Sequence, residues 1–239
     1  MRNLFIIFCA FAFCFSVSAQ NRTEVPEFQK SAGNKTTLLR GEQAEWYGFP
    51  ANGNPYWYSA EFFIGDIEVQ GHVYYDVALN IDAVTQRALV LVPGSQVAVA
   101  LPPSRVDRMV SGNLVFVGIS GEGEGPLREG FYQVMGEGKE KIFRSVRKHL
   151  ETSTDVVNGE HIGYNDPNYR FDVQRYFEIK SEYWFRSPDG QYTRIRNKSG
   201  LFRCFGDRRK QLRKAAEAQK IDRLSFDKYC MVVLKMAER

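Results

Sequence analysis

His72-Val73-Tyr74-Tyr75-Asp76-Val77-Ala78-Leu79-Asn80-Ile81-Asp82 is the stretch that decides the fold class. Val73, Tyr75, Val77, Leu79 and Ile81 fall on one side of an extended chain. His72, Tyr74, Asp76, Asn80 and Asp82 fall on the other. Period two over eleven residues marks a strand with one dry face and one wet face. The segments on either side continue the pattern. Ala88 to Val92 is apolar on both faces and predicts a doubly covered strand. Pro93-Gly94 turns the chain into Val97–Leu101, and Pro102-Pro103 ends that strand, because proline cannot donate to a ladder. Gly112-Asn113 turns it again into Leu114–Val117.

Further along, Phe131–Met135 and Gly136-Glu137-Gly138 read as half of a hairpin. Ile142, Val146 and Leu150 sit at helical spacing, but the preceding turn favours a return strand, and we read a strand. Glu151 to Asn168 reads as a polar loop. Tyr183–Arg186 and Gln191–Arg196 flank Ser187-Pro188-Asp189-Gly190, in which proline presets φ and glycine accepts a positive φ. From Ser199 the period changes to 3.6. A short helix runs to Gly206, and Asp207 is expected to cap a second one through Gln219, with Leu212, Ala215 and Ala216 on its buried stripe. Ser225 is expected to cap a third, with Phe226, Tyr229, Cys230 and Val233 facing inward. The fold class is therefore α+β: mainly an antiparallel β meander, as a sandwich or open barrel, with C-terminal helices packed on it.

The organisation follows. Residues 1–19 read as a signal peptide: Arg2, an apolar run from Leu4 to Phe15, then Val17-Ser18-Ala19 before Gln20. The run is about half of the ~20 residues a spanning helix needs, so no membrane span is expected in the mature chain. Cys9 and Cys14 both follow Phe, which argues against a lipidation signal. Residues 20–41 read as a loose arm, and 42–239 as a single β-rich domain whose helical cap covers 199–238. The protein is expected to be exported: periplasmic, associated with the outer envelope, or secreted.

Composition excludes several classes. The chain has 239 residues, 44% hydrophobic and 14% aromatic, with 32 Lys and Arg against 28 Asp and Glu. That is neither a disordered chain nor a dedicated polyanion binder. The mature chain would keep two cysteines, Cys204 and Cys230, a candidate disulfide in an oxidising compartment.

The order of elements resembles a class of secreted and envelope β-rich proteins of the Bacteroidota. A signal peptide leads to a "G.VYYDVALNID" core and a Phe-Tyr hairpin before a polar loop. An aromatic hairpin then runs into "KSGLFRCFGDRRKQL" and a closing helix. The resemblance covers roughly residues 56–236. It implies an envelope or secreted location and carries over no activity and no site residues.

Read for chemistry, the residues point away from catalysis. A serine or cysteine nucleophile needs a base within reach, and no Gly-x-Ser-x-Gly elbow precedes His72, His149 or His161. Asp76, Asn80 and Asp82 share a strand face, on which neighbours two residues apart sit about 6–7 Å from each other, and Glu151, Asp155 and Asp166 flank a loop; a solvated strand face is the favoured reading over a carboxylate pair. Gly121-Glu122-Gly123-Glu124-Gly125 has the glycines of a phosphate cradle, but its two glutamates repel phosphate. No cofactor or metal is expected.

Two surfaces remain. Trp46, Tyr56, Trp57 and Tyr58 belong to an aromatic cluster over 46–63; it either closes one end of the core, the favoured reading, or forms a platform for sugar rings or a partner's apolar side chains. Arg209, Lys210, Arg213 and Lys214 lie on the face of the second helix opposite its apolar stripe. They are a solvated face or a contact for anionic lipid headgroups, acidic polysaccharide or an acidic protein. No aromatic interleaving supports nucleic-acid binding. The leading functional expectation is a non-enzymatic envelope protein that binds or scaffolds. The alternatives are a barrel-like carrier of a small apolar ligand and a carbohydrate-binding or carbohydrate-acting protein.

Overall fold

In the computed structural model, which describes residues 37–121, 125–154 and 173–238, eleven strands form one antiparallel sheet. They are β1 (Glu42–Gln43), β2 (Phe63–Val69), β3 (His72–Asp82), β4 (Arg87–Leu91), β5 (Ala98–Leu101), β6 (Val106–Ser111), β7 (Leu114–Ile119), β8 (Gly130–Met135), β9 (Lys141–Thr154), β10 (Val173–Arg186) and β11 (Tyr192–Ile195). The spatial order is β1-β5-β4-β3-β2-β6-β7-β8-β9-β10-β11. The meander is thus broken twice: β1 pairs with β5 rather than with β2, and after β5 the chain returns to pair β6 with the free side of β2. The expected α+β class with an antiparallel β meander and C-terminal helices holds, and the strands form a single sheet that does not close. The signal-peptide stretch and most of the arm lie outside the described residues. From Thr37 the chain is docked: Leu38 is buried, and Arg105 donates to the carbonyls of Arg40 and Thr37.

Alternation along β3 holds only in part. Val77, Leu79 and Ile81 are buried as predicted. Between Gly65 and Ile67 the register with β2 shifts, and Asp76 takes a φ of 53°. This bulge reverses the faces beyond it. Tyr74 therefore packs against the core while Val73 is exposed, the opposite of the simple alternation. The wet face is also corrected. Asn80 and Asp82 are buried, because the chain between β1 and β2 lies over them.

The sheet curls until its middle meets its far side. The turn between β3 and β4 reaches β8 and β9, where Lys148 N donates to Ala83 O at 2.9 Å. Gln86 completes the join: Nε2 donates to Ala83 O at 2.9 Å and Val146 O at 3.0 Å, and Oε1 accepts from Phe131 N at 3.1 Å. Ile67, Leu79, Met109, Phe116 and Phe131 fill the enclosed space.

The strand reading of 142–150 is correct, and the pairing extends further than expected: residues 151–154, read as loop, continue β9 opposite Val173–Tyr176. Three helices, α1 (Lys198–Arg203), α2 (Arg209–Ala218) and α3 (Phe226–Ala237), cover one face of β8–β11. Leu201, Phe202, Leu212, Tyr229, Val233 and Leu234 pack there on Met135, Ile142 and Phe185. The predicted caps are corrected. Arg208, not Asp207, holds the N-cap position of α2, and Ser225 stands at the N-cap of α3 without a side-chain hydrogen bond.

Candidate functional site

Residues 46–58 join β1 to β2, and short hydrogen bonds pin them to β3, β8, β9 and β10. Tyr47 OH donates to Asp82 Oδ2 at 2.8 Å. Asn52 N donates to Arg175 O at 2.8 Å, and Phe177 N donates to Asn52 O at 3.1 Å. Lys148 Nζ donates to Asn54 O at 2.8 Å and to Asn54 Oδ1 at 3.2 Å. Trp57 N donates to Ile81 O at 2.8 Å, and Tyr58 OH donates to Gln133 Oε1 at 2.9 Å. A loop held at so many points has its backbone course fixed before any partner arrives.

The four aromatic candidates separate. Trp46 is 85% exposed, yet its indole is seated: a Cβ built on Gly48 would lie 2.0 to 2.4 Å from three of its ring atoms. Only glycine lets the ring lie against the chain there. Beside it, Tyr47 meets Phe49 and Phe177 edge-on at 6.2 and 5.9 Å, and the Arg175 guanidinium lies 5.6 Å over Phe49. Tyr58 is 46% exposed. Tyr56 is half-buried, and burial, then the Asp82 charge, raises its pKa. Trp57 is only 4% exposed and stands edge-on to Phe116 at 5.4 Å. That corrects its place among contact residues: Trp57 is core, as the closure reading required.

Electrostatics under this segment are structural. Asp82 accepts Tyr47 OH and the backbone N–H groups of Val84 and Thr85 at 2.8 and 3.0 Å, so most of its acceptor capacity is taken up within the fold. Lys148 is 4% exposed; burial lowers its pKa, and the Asp82 charge opposes that shift. Asn80 Nδ2 donates to Ser59 O and Glu61 O. These groups act as struts. Asp76 stands away from them on the bulge, Glu151 is exposed, and Asp155 and Asp166 lie outside the described residues, as do residues 122–124 of the glycine-rich loop.

The basic helix is exposed as expected. Arg209, Lys210 and Lys214 have no ion-pair partner among the described residues, while Arg213 lies 5.8 Å over the Phe202 ring. Residues 198–238 carry eleven Lys and Arg against five Asp and Glu, so the positive charge of the whole protein is concentrated in the cap.

The expected disulfide is corrected. Cys204 and Cys230 are free thiols. Cys204 Sγ turns back toward Gly200 O at 3.4 Å in its own helix, while Cys230 is fully buried in the layer between α3 and the sheet. Burial pushes the Cys230 thiol up to about 12 and raises Cys204 as well.

One cluster had no counterpart in the sequence reading. Arg87, Arg128, Arg147 and His149 line a single cleft beside the β3–β4 turn. No spacing rule links them, because curling of the sheet brings together three stretches distant in sequence. Among the described residues there is no group of three or more His, Cys, Asp and Glu placed to hold a metal ion. No helix among them is long and apolar enough to cross a membrane. No family model, curated protein or solved structure matches this chain.

Proposed function

We propose that this chain is an exported cell-envelope protein of non-enzymatic binding type, and that it holds an envelope polysaccharide against the indole of Trp46. The observation that carries this reading is an exposed indole that lies against Gly48, within a segment tied down at five residues. A flat apolar ring offered to solvent suits stacking on a sugar ring. The carrier alternative draws no support from the interior, which Trp57, Met109, Phe116 and Phe131 fill.

The test is co-sedimentation of the purified chain with insoluble envelope polysaccharide. Trp46→Ala should abolish retention and leave the melting temperature unchanged; retention at the parent level would overturn the reading. Export is tested separately, by cell fractionation and by sequencing the N-terminus of the recovered protein, which should begin at Gln20.

A second contact is supported by the unpaired cations of α2. Arg209, Lys210 and Lys214 suit anionic lipid headgroups, with binding that falls as salt rises. Vesicles of anionic lipid should retain the protein at low salt, whereas neutral vesicles should not.

A further inference from the structure

The cleft beside the β3–β4 turn has a volume of about 550 Å³. Thr85 and Arg87 line it from the turn, Arg128 and Glu129 from the approach to β8, and Arg147 and His149 from β9. Three arginines and a histidine therefore share its lining with one acidic residue. None of the three arginines is in an ion pair among the described residues. Glu178 lies across the ladder from His149, but it pairs with Lys180 at 2.8 Å.

The Arg147 side chain and the Arg128 backbone are held in place. The Arg147 guanidinium donates to the Glu129 carbonyl. A Cβ on Gly130 would lie 2.7 Å from Gln86 Oε1 and 2.8 Å from Arg147 Nη2, so glycine leaves the seat that both side chains occupy. The buried Tyr132 hydroxyl donates to Arg128 O at 3.0 Å and accepts from Arg128 N at 3.1 Å, which anchors the backbone that carries the second arginine. Arg147 and His149 share one face of β9, about 6–7 Å apart along the strand.

We propose that this cleft is a binding site for a phosphate monoester carried on a small molecule such as a sugar phosphate. Guanidinium forks match phosphate oxygens in pairs, and three arginines on one lining favour a dianion over a singly charged carboxylate or sulfate ester. The volume exceeds that of the phosphoryl group and leaves room for the sugar. The site is separate from the Trp46 platform, so each proposal stands or falls on its own measurement.

Isothermal titration of the purified chain at low ionic strength decides it, with glucose 6-phosphate, inorganic phosphate and glucose 6-sulfate as probes. Saturable one-to-one binding of glucose 6-phosphate is expected, at least about tenfold tighter than glucose 6-sulfate, a difference of ~1.4 kcal/mol. Equal binding of inorganic phosphate would place the recognition in the phosphoryl group and support the assignment. Arg87→Gln and Arg128→Gln should each weaken binding by about tenfold, with circular dichroism and melting temperature as checks on folding. Both variants should fold, and Trp46→Ala should bind as the parent does. Absence of saturable binding, equal affinity for the sulfate ester, or parent affinity in both arginine variants would overturn the proposal.

Discussion

Gln86 Nε2 donates to the carbonyl of Val146 at 3.0 Å, across a sequence separation of 60 residues. This one side chain joins the β3–β4 turn to the far side of the curled sheet, and its carbonyl oxygen accepts Phe131 N from β8. Gln86→Ala removes all three hydrogen bonds and leaves Phe131 N without its acceptor in a buried site. A loss of about 2–4 kcal/mol is expected, since each orphaned buried group costs ~1–3 kcal/mol. Urea denaturation followed by circular dichroism measures it; a loss under about 1 kcal/mol would show that the turn holds its place without this residue.

Trp46 and Trp57 should behave as opposites. Trp57→Ala empties a filled interior beside Phe116 and should cost ~3–5 kcal/mol. Trp46→Ala removes an exposed ring and should change stability by no more than about 0.5 kcal/mol. Fluorescence separates them as well, because the exposed indole is quenched by iodide and the buried one is not.

Cys230 sets an alkaline limit. Its folded-state pKa is pushed up to about 12, from an ordinary value of 9.0, by burial first and then by the Asp227 charge. A raised pKa means that the unfolded chain releases its thiol proton first as pH rises. The stability tied to this group is therefore complete below pH 9 and declines between 9 and about 12. Cys230→Ala should flatten the fall in melting temperature across that window. The native protein at pH 8 should resist alkylation at Cys230, and the denatured, unreduced protein should release two thiols from Cys204 and Cys230.

Reversing charge on α2 should spare the fold. Arg209, Lys210 and Lys214 replaced together by glutamate should leave the helical signal intact, because Leu212 and Ala216 provide the buried contacts. Arg213 is left unchanged for its position over Phe202. Retention on anionic vesicles should drop, and in the parent it should weaken as salt rises; retention at parent level in the triple variant would remove α2 from that contact.

Much of this protein could be read locally. The alternation in Val77, Leu79 and Ile81, the proline stop after Leu101 and the change to a 3.6-residue period after Ser199 are short-range signals, and they place strands and helices where the structure has them. The charge of the α2 face was legible for the same reason, because helical geometry alone separates Lys210 and Lys214 from Leu212. What stayed illegible depends on contacts between residues far apart in the chain. The bulge at Asp76 arises from its pairing with β2, and it exchanged the roles of Val73 and Tyr74. Whether an aromatic residue closes a core or faces solvent depends on what packs over it, so Trp46 and Trp57, eleven positions apart in one cluster, had opposite fates. The cysteines could be paired by counting, but their side-chain directions belong to the packing of α1 and α3. The arginine cleft exists only because the sheet curls until Arg87 and Arg147 line the same wall. Period and propensity are properties of the nearest few residues, whereas burial, side-chain direction and convergence of charge are properties of the packed sheet.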